Sequence, residues 1–141
     1  MGRKSKGKRR IPVVNNIIYS NLIFFVASGK NYALSIAKVR NKKDSSPTAK
    51  QLKQLEERGF LKSRKEKLLN KTIYSINWSR IIEEFKKFYD DFKKQRIFNL
   101  VAWKKIKIKK EDLQRIFKKF AGTNYTLKDV FLLIILKNHL K

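Results

Sequence analysis

The chain has 141 residues, carries 36 Lys and Arg against 11 Asp and Glu for a formal net charge of +25, and is 42% hydrophobic with ten Phe, five Tyr and two Trp. A disordered polycation is short of such residues, so the charge belongs on one compact domain or a small domain plus an arm, and a polyanion is the expected partner. The absence of cysteine excludes disulfides, thiolate catalysis and cysteine zinc sites, and the longest apolar run, Val130 to Leu136, is far short of the roughly twenty residues that cross a bilayer, so an intracellular protein working away from membrane is expected.

Residues 1–14 read as a flexible basic arm. Met1 to Arg10 holds Arg3, Lys4, Lys6, Lys8, Arg9 and Arg10 with no acidic residue. Such a segment follows phosphates or enters a groove, and it also suits a merely solvated tail. From Asn16, the spacing of Ile17, Ile18, Leu22, Phe25 and Val26 predicts a helix, and Gly29 supplies a left-handed end. Tyr32, Leu34, Ile36, Ala37 and Val39 predict a shorter second helix from about residue 31 to 39, broken by the polar run 41–45. Ser46-Pro47 opens a third helix, because proline in the first turn has no amide to leave unsatisfied. It should run to about Arg58 and close at Gly59.

Residues 60–64 and 72–77 read as two strands around a hairpin tip at 65–71. Ser79 is expected to cap a long helix whose apolar face is Ile81, Ile82, Phe85, Phe88, Tyr89 and Phe92. Glu83 and Glu84 are expected in its first turn and Lys86, Lys87, Lys93 and Lys94 later, as the macrodipole prefers. Ile97 to Trp103 fits either an extension of that helix or a strand, and Lys104 to Lys110 fits an exposed strand or an extended link. A fifth helix is expected over 111–120 with Leu113, Ile116, Phe117 and Phe120 on one face and Gly122 at its end. Thr126 with Asp129 forms a capping box for a sixth. That helix is apolar nearly all round, so something must cover it.

The segment SPTAKQLKQLEERGFLKSR at 46–64 resembles the recognition helix and first wing strand of winged helix-turn-helix transcription regulators of the MarR, ArsR and PadR type, and TIYSIN at 72–77 resembles their second wing strand. The most specific part is the Leu52, Leu55, Glu56, Glu57, Gly59, apolar arrangement. The resemblance covers residues 15–93. It implies a mainly α fold with a small β-hairpin wing. Residues 94–141 read as a C-terminal helical extension, and the excess of Val130, Phe131, Leu133, Ile134 and Leu136 over what one flanking helix covers suits either core or a homodimer seam.

The residues support the same reading on their own. Thr48, Leu52 and Leu55 fall on one helical face and should pack inward; Ala49, Lys50, Lys53 and Gln54 should fall outward, beyond Ser46 and Pro47 at the helix start. Pro47 and Ala49 are sized to approach thymine methyls, Gln51 or Gln54 to pair with adenine, and Lys50 and Lys53 to reach guanine or phosphate. The wing carries Lys62, Arg64, Lys65, Lys67 and Lys71 against Glu66 alone, which matches a hairpin on the phosphate backbone or minor groove, although a solvated wing is the plainer alternative. One departure is the connection at 40–45, more polar than the tight apolar turn of those regulators, which leaves the seating of the third helix open. No cysteine or histidine cluster of the metal- or oxidant-sensing kind is present.

Catalysis is not expected. Ser28-Gly29-Lys30 lacks the upstream glycine and the following Ser or Thr of a phosphate-binding loop. The acidic pairs Asp90-Asp91 and Glu111-Asp112 lie on lysine-rich helices, where Glu84 with Lys87 and Asp90 with Lys94 make ordinary surface pairs. His139 reads as a surface residue. No cofactor or metal is expected, and the partner is nucleic acid. Double-stranded DNA is favoured, bound by a regulator or a nucleoid-type protein. Structured RNA is the rival, in a ribosomal or ribosome-associated particle, because basic residues lie along several parts of the chain. A winged helix that binds protein alone leaves the charge unexplained.

Overall fold

In the first three helices the chain reverses by the same device. The computed structural model describes residues 12–95 and 106–139. Residues 1–11 of the basic arm and residues 96–105 lie outside the described residues, as does the His139 side chain; residues 12–14, also read as arm, belong to the folded body, with Val13 buried in the core. After a single 3-10 turn at Val13–Asn15 come α1 (Ile17–Ala27), α2 (Ala33–Val39) and α3 (Ser46–Glu57). Each is followed by a residue in the left-handed region: Gly29, Asn41 and Gly59, with φ of 99, 58 and 86°. The next amide then reaches back to the last turn, Lys30 to the carbonyl of Phe25, Lys42 to Ala37 and Phe60 to Leu55, at 2.9, 2.8 and 3.0 Å. This closure satisfies end carbonyls and turns the chain sharply. The two glycines were expected in this role. At the middle position an asparagine serves, being among the few L-residues that tolerate this conformation.

After α3 the chain forms a two-stranded antiparallel sheet, β1 (Leu61–Glu66) and β2 (Lys71–Ile76), in register from Leu61 opposite Ile76 to Glu66 opposite Lys71. The strands reach further outward than expected, so the loop between them is only 67–70, with Asn70 at φ 48° turning the chain back. The Tyr74 amide also donates to the carbonyl of Asn31 at 2.8 Å, which ties the link between α1 and α2 to β2 as a one-residue third rung.

The helix α4 (Trp78–Lys93) begins one residue before Ser79, so Ser79 lies inside the first turn and does not cap it. Asn77 takes the flanking position, with its side-chain Nδ2 donating to the carbonyl of Gly59 at 2.9 Å. The shift also carries Glu83 and Glu84 past the first turn, which holds no acid. Glu84 pairs with Arg80 one turn earlier, at 3.4 Å, and Asp90 pairs with Lys93 at 3.5 Å, rather than with the lysines expected. The link at 106–109 has no regular structure; Ile106 and Ile108 rest half-buried on the core while Lys107 and Lys109 are exposed, so the alternation belongs to an extended link.

The last two helices are α5 (Lys110–Phe120) and α6 (Leu127–His139). The capping box is formed: the Thr126 amide donates to the Asp129 carboxylate at 3.0 Å and the Asp129 amide to the Thr126 hydroxyl at 3.1 Å. Aromatic rings join these helices to the rest. Phe117 of α5 meets Phe24 of α1 edge-on at 5.2 Å, and Phe131 of α6 meets Phe85 of α4 edge-on at 5.3 Å. A single buried cluster therefore runs from Val13 to Ile135 and joins the first and last elements of the described residues. Within α6, Leu127, Val130, Phe131, Ile134 and Ile135 are buried in it, and of its large apolar residues Leu133 and Leu136 are exposed.

Two polar side chains of α1 fix the α5–α6 turn. Asn21 accepts from the Gly122 amide at 2.8 Å and donates to the carbonyl of Thr123. The buried Ser20 hydroxyl accepts from the Leu127 amide at 2.9 Å and donates to the carbonyl of Val13, so it is fully satisfied where an unpaired hydroxyl is costly. No helix among the described residues is long and apolar enough to cross a membrane.

Candidate nucleic-acid interface

The helix α3 is held along one narrow seam. Thr48, Leu52 and Leu55 are at most 1% exposed, as their spacing predicts. The opposite stripe, at intervals of four, three and four, is Ser46, Lys50, Lys53 and Glu57, all exposed, with Pro47 exposed at the helix start. Two lysines of the expected face are thus confirmed as outward, and an acid closes the stripe at its C-terminal end.

Between seam and stripe, the flanking residues are half-buried and engaged. Gln54 accepts a hydrogen bond from the Tyr19 hydroxyl of α1. Gln51 accepts from the Arg40 guanidinium at 3.2 Å. Glu56 accepts from the Ser63 hydroxyl of β1. Ala49 lines an open cleft of about 250 Å³ with Tyr32, Ser45, Thr72 and Tyr74. The expectation that Ala49 and Gln54 face outward is therefore corrected: both sit on the flanks, Ala49 toward the hairpin base and Gln54 toward α1. Bidentate pairing with adenine uses both ends of an amide, and in Gln51 and Gln54 the oxygen is already occupied inside the protein.

The polar connection at 40–45 seats α3 by hydrogen bonds instead of apolar contact. Arg40, at the end of α2, donates to the Thr48 hydroxyl and to Gln51, both at 3.2 Å. Asp44 accepts from the Ser46 amide at 2.9 Å, and that backbone hydrogen bond, with one from the Ser46 side chain, holds the Asp44 carboxyl below its ordinary pKa. A carboxylate at a helix start satisfies an orphan amide and complements the dipole.

The hairpin divides its cations. Lys62, Lys65 and Lys67 are exposed. Arg64 is mostly exposed but pairs with Glu66 two residues on, at 3.1 Å. Lys71 turns back to the body of the protein, its ammonium 3.6 Å from the centre of the Tyr32 ring. The expected five basic groups of the hairpin thus reduce to three turned to solvent, one shared and one engaged. Behind them Tyr74 is buried at the hairpin base, where desolvation and then the nearby Glu56 charge raise its phenol above the ordinary value.

Sequence reasoning missed Arg40, Tyr19 and Asn31, because each acts through a residue distant in the chain and none lies in a local pattern. Basic residues outside this face are also exposed: Lys107, Lys109, Lys110, Lys118 and Lys119, on α5 and the link before it. Among the described residues no group of three or more His, Cys, Asp or Glu is placed to hold a metal ion. No protein-family model, curated protein or solved structure shows a significant match to the chain.

Proposed function

We propose that this chain is a winged-helix protein that binds duplex DNA, as a transcription regulator or a nucleoid-type protein, with α3 in the major groove and the β1–β2 hairpin as the wing. The observation that carries the reading is the uncovered stripe Ser46, Lys50 and Lys53, on a helix bonded through Glu56 and Ser63 to a hairpin with Lys62, Lys65 and Lys67 exposed. The element order supports it as well: a helix, a one-residue strand contact at Asn31, two helices and a hairpin are what a winged helix requires.

Electrostatics orient the helix. The amide end of α3 carries the positive pole of the macrodipole, offset by the Asp44 carboxylate on the Ser46 amide, and Glu57 sets a second negative charge on the stripe at the other end. Approach to phosphate is therefore most favourable along the middle of the stripe, with Lys50 and Lys53 leading, and unfavourable at Glu57. Lys50 and Lys53 lie against the phosphates along the groove, base-edge contact falls to Pro47, and further backbone contacts fall to the hairpin lysines and the arm of residues 1–10.

The exposed lysines of α5 and its link favour a second reading, in which the same fold is embedded in structured RNA and touched on several sides. Crosslinking in the cells of origin, followed by sequencing of both DNA and RNA recovered with the protein, separates the two. Discrete or broad DNA recovery supports the first reading; recovery concentrated at one position of a structured RNA overturns it in favour of the second.

A further inference from the structure

The outermost point of the hairpin is apolar. Leu68 is 94% and Leu69 64% exposed, the highest values among the exposed large apolar residues of the described chain, and they occupy the middle of the 67–70 loop. Lysines flank them at 65 and 67 on one side and at 71 on the other. Scattered exposed leucines are ordinary, but two adjacent ones at the end of a projecting cationic arm are placed to be inserted into something.

We infer that Leu68 and Leu69 are an apolar wedge that enters the minor groove of duplex DNA, opens a base step and bends the helix. The inference rests on the duplex-binding reading above and adds to it a deformation of the nucleic acid. Side chains of this kind part stacked bases from the minor-groove side, where the exposed base faces bury the apolar surface and the bend brings more phosphate to the protein. Here Lys65 and Lys67 stand beside the leucines to hold the phosphates that flank the opened step.

Dimensions favour a groove over a flat surface. Six strand residues at roughly 3.4 Å each carry the tip about 20 Å from the hairpin root beside α3. Adjacent major- and minor-groove centres lie about 17 Å apart, half of a helical turn of about 34 Å. With Lys50 and Lys53 in the major groove, the leucines thus arrive one groove away, across a single phosphate backbone. A planar anionic membrane offers the tip a site but gives α3 nothing to bind.

The test uses the full chain, a duplex of about 30 base pairs carrying central TA steps, which open easily, and fluorophores at both ends to report bending. The comparison is with Leu68→Ser/Leu69→Ser, a change at exposed positions that leaves the core untouched. The expected result is a bend of roughly 20–90° with the native protein, and binding without that bend by the variant. Equal bending by both, or binding by both with no bending, overturns the wedge while leaving duplex binding in place. Absence of duplex binding by the native protein overturns the underlying reading and the wedge with it. Vesicles of phosphatidylserine and phosphatidylcholine form the second arm: binding to them that the variant loses, with duplex bending unchanged, overturns the wedge in favour of a lipid contact.

Discussion

The helices α3 and α6 are nearly equal in length and opposite in attachment. Over Ser46–Glu57 the protein buries Thr48, Leu52 and Leu55, so most of the circumference of α3 meets water or polar neighbours. Over Leu127–His139 it buries five apolar residues, and Phe131 touches both Phe85 and Phe88. An anchoring helix is surrounded by core, whereas a helix that presents side chains to a partner is fastened by a thin seam and a few polar staples. The same contrast predicts where a mutation costs stability and where it costs only binding.

The largest effect is expected at the anchor. Phe131→Ala removes a fully buried ring and should destabilise the fold by about 3–5 kcal/mol in denaturant unfolding. The seam comes next: Leu52→Ala should cost about 2–4 kcal/mol, toward the lower part of the range for a buried leucine if the exposed side of α3 lets the helix settle. Equal or greater loss at Leu52 than at Phe131 breaks the comparison. Asn21→Ala strips the α5–α6 turn of both its side-chain bonds and should cost about 1–2 kcal/mol. Lys50→Ala and Lys53→Ala should leave stability within about 0.5 kcal/mol while weakening duplex binding. Glu57→Gln should strengthen that binding several-fold without change in melting, since it removes the acid from the stripe.

Burial raises the Tyr74 and Tyr89 phenols above their ordinary value near 10. The sign follows directly: the folded state favours the neutral phenol, so this stabilisation is complete below that ordinary value and is lost as pH rises through the raised folded-state values. Thermal melts above pH 10 should therefore fall less steeply for Tyr74→Phe than for the native chain. Parallel slopes contradict the burial of that hydroxyl as the cause.

Much of this contrast is legible in one dimension. The spacing of Thr48, Leu52 and Leu55 announces the seam, and Thr126 with Asp129 announces the start of α6, because each is a local rule read over one or two turns. The β-branched alternation of β2 is local too. What escaped is what depends on contact across the chain. Ser79 resembles a cap, but Asn77 takes that place, its side-chain Nδ2 reaching the Gly59 carbonyl. Gln54 falls toward the outer side of the helical wheel, yet Tyr19 holds it, and Arg40 joins Gln51 and Thr48 from another helix. The choice of α6 between core and dimer seam was likewise open, and contacts distant in the chain bury it, among them the rings of Phe85 and Phe88 against Phe131.

The most direct test of the central claim is duplex-DNA affinity measured over a range of salt for the native chain and for Lys50→Ala/Lys53→Ala. If both lysines lie against phosphate, the double variant should bind more weakly, with a salt slope shallower by about two, while melting as the native protein does. Identical affinity and slope in the two proteins contradict α3 as the helix that meets DNA.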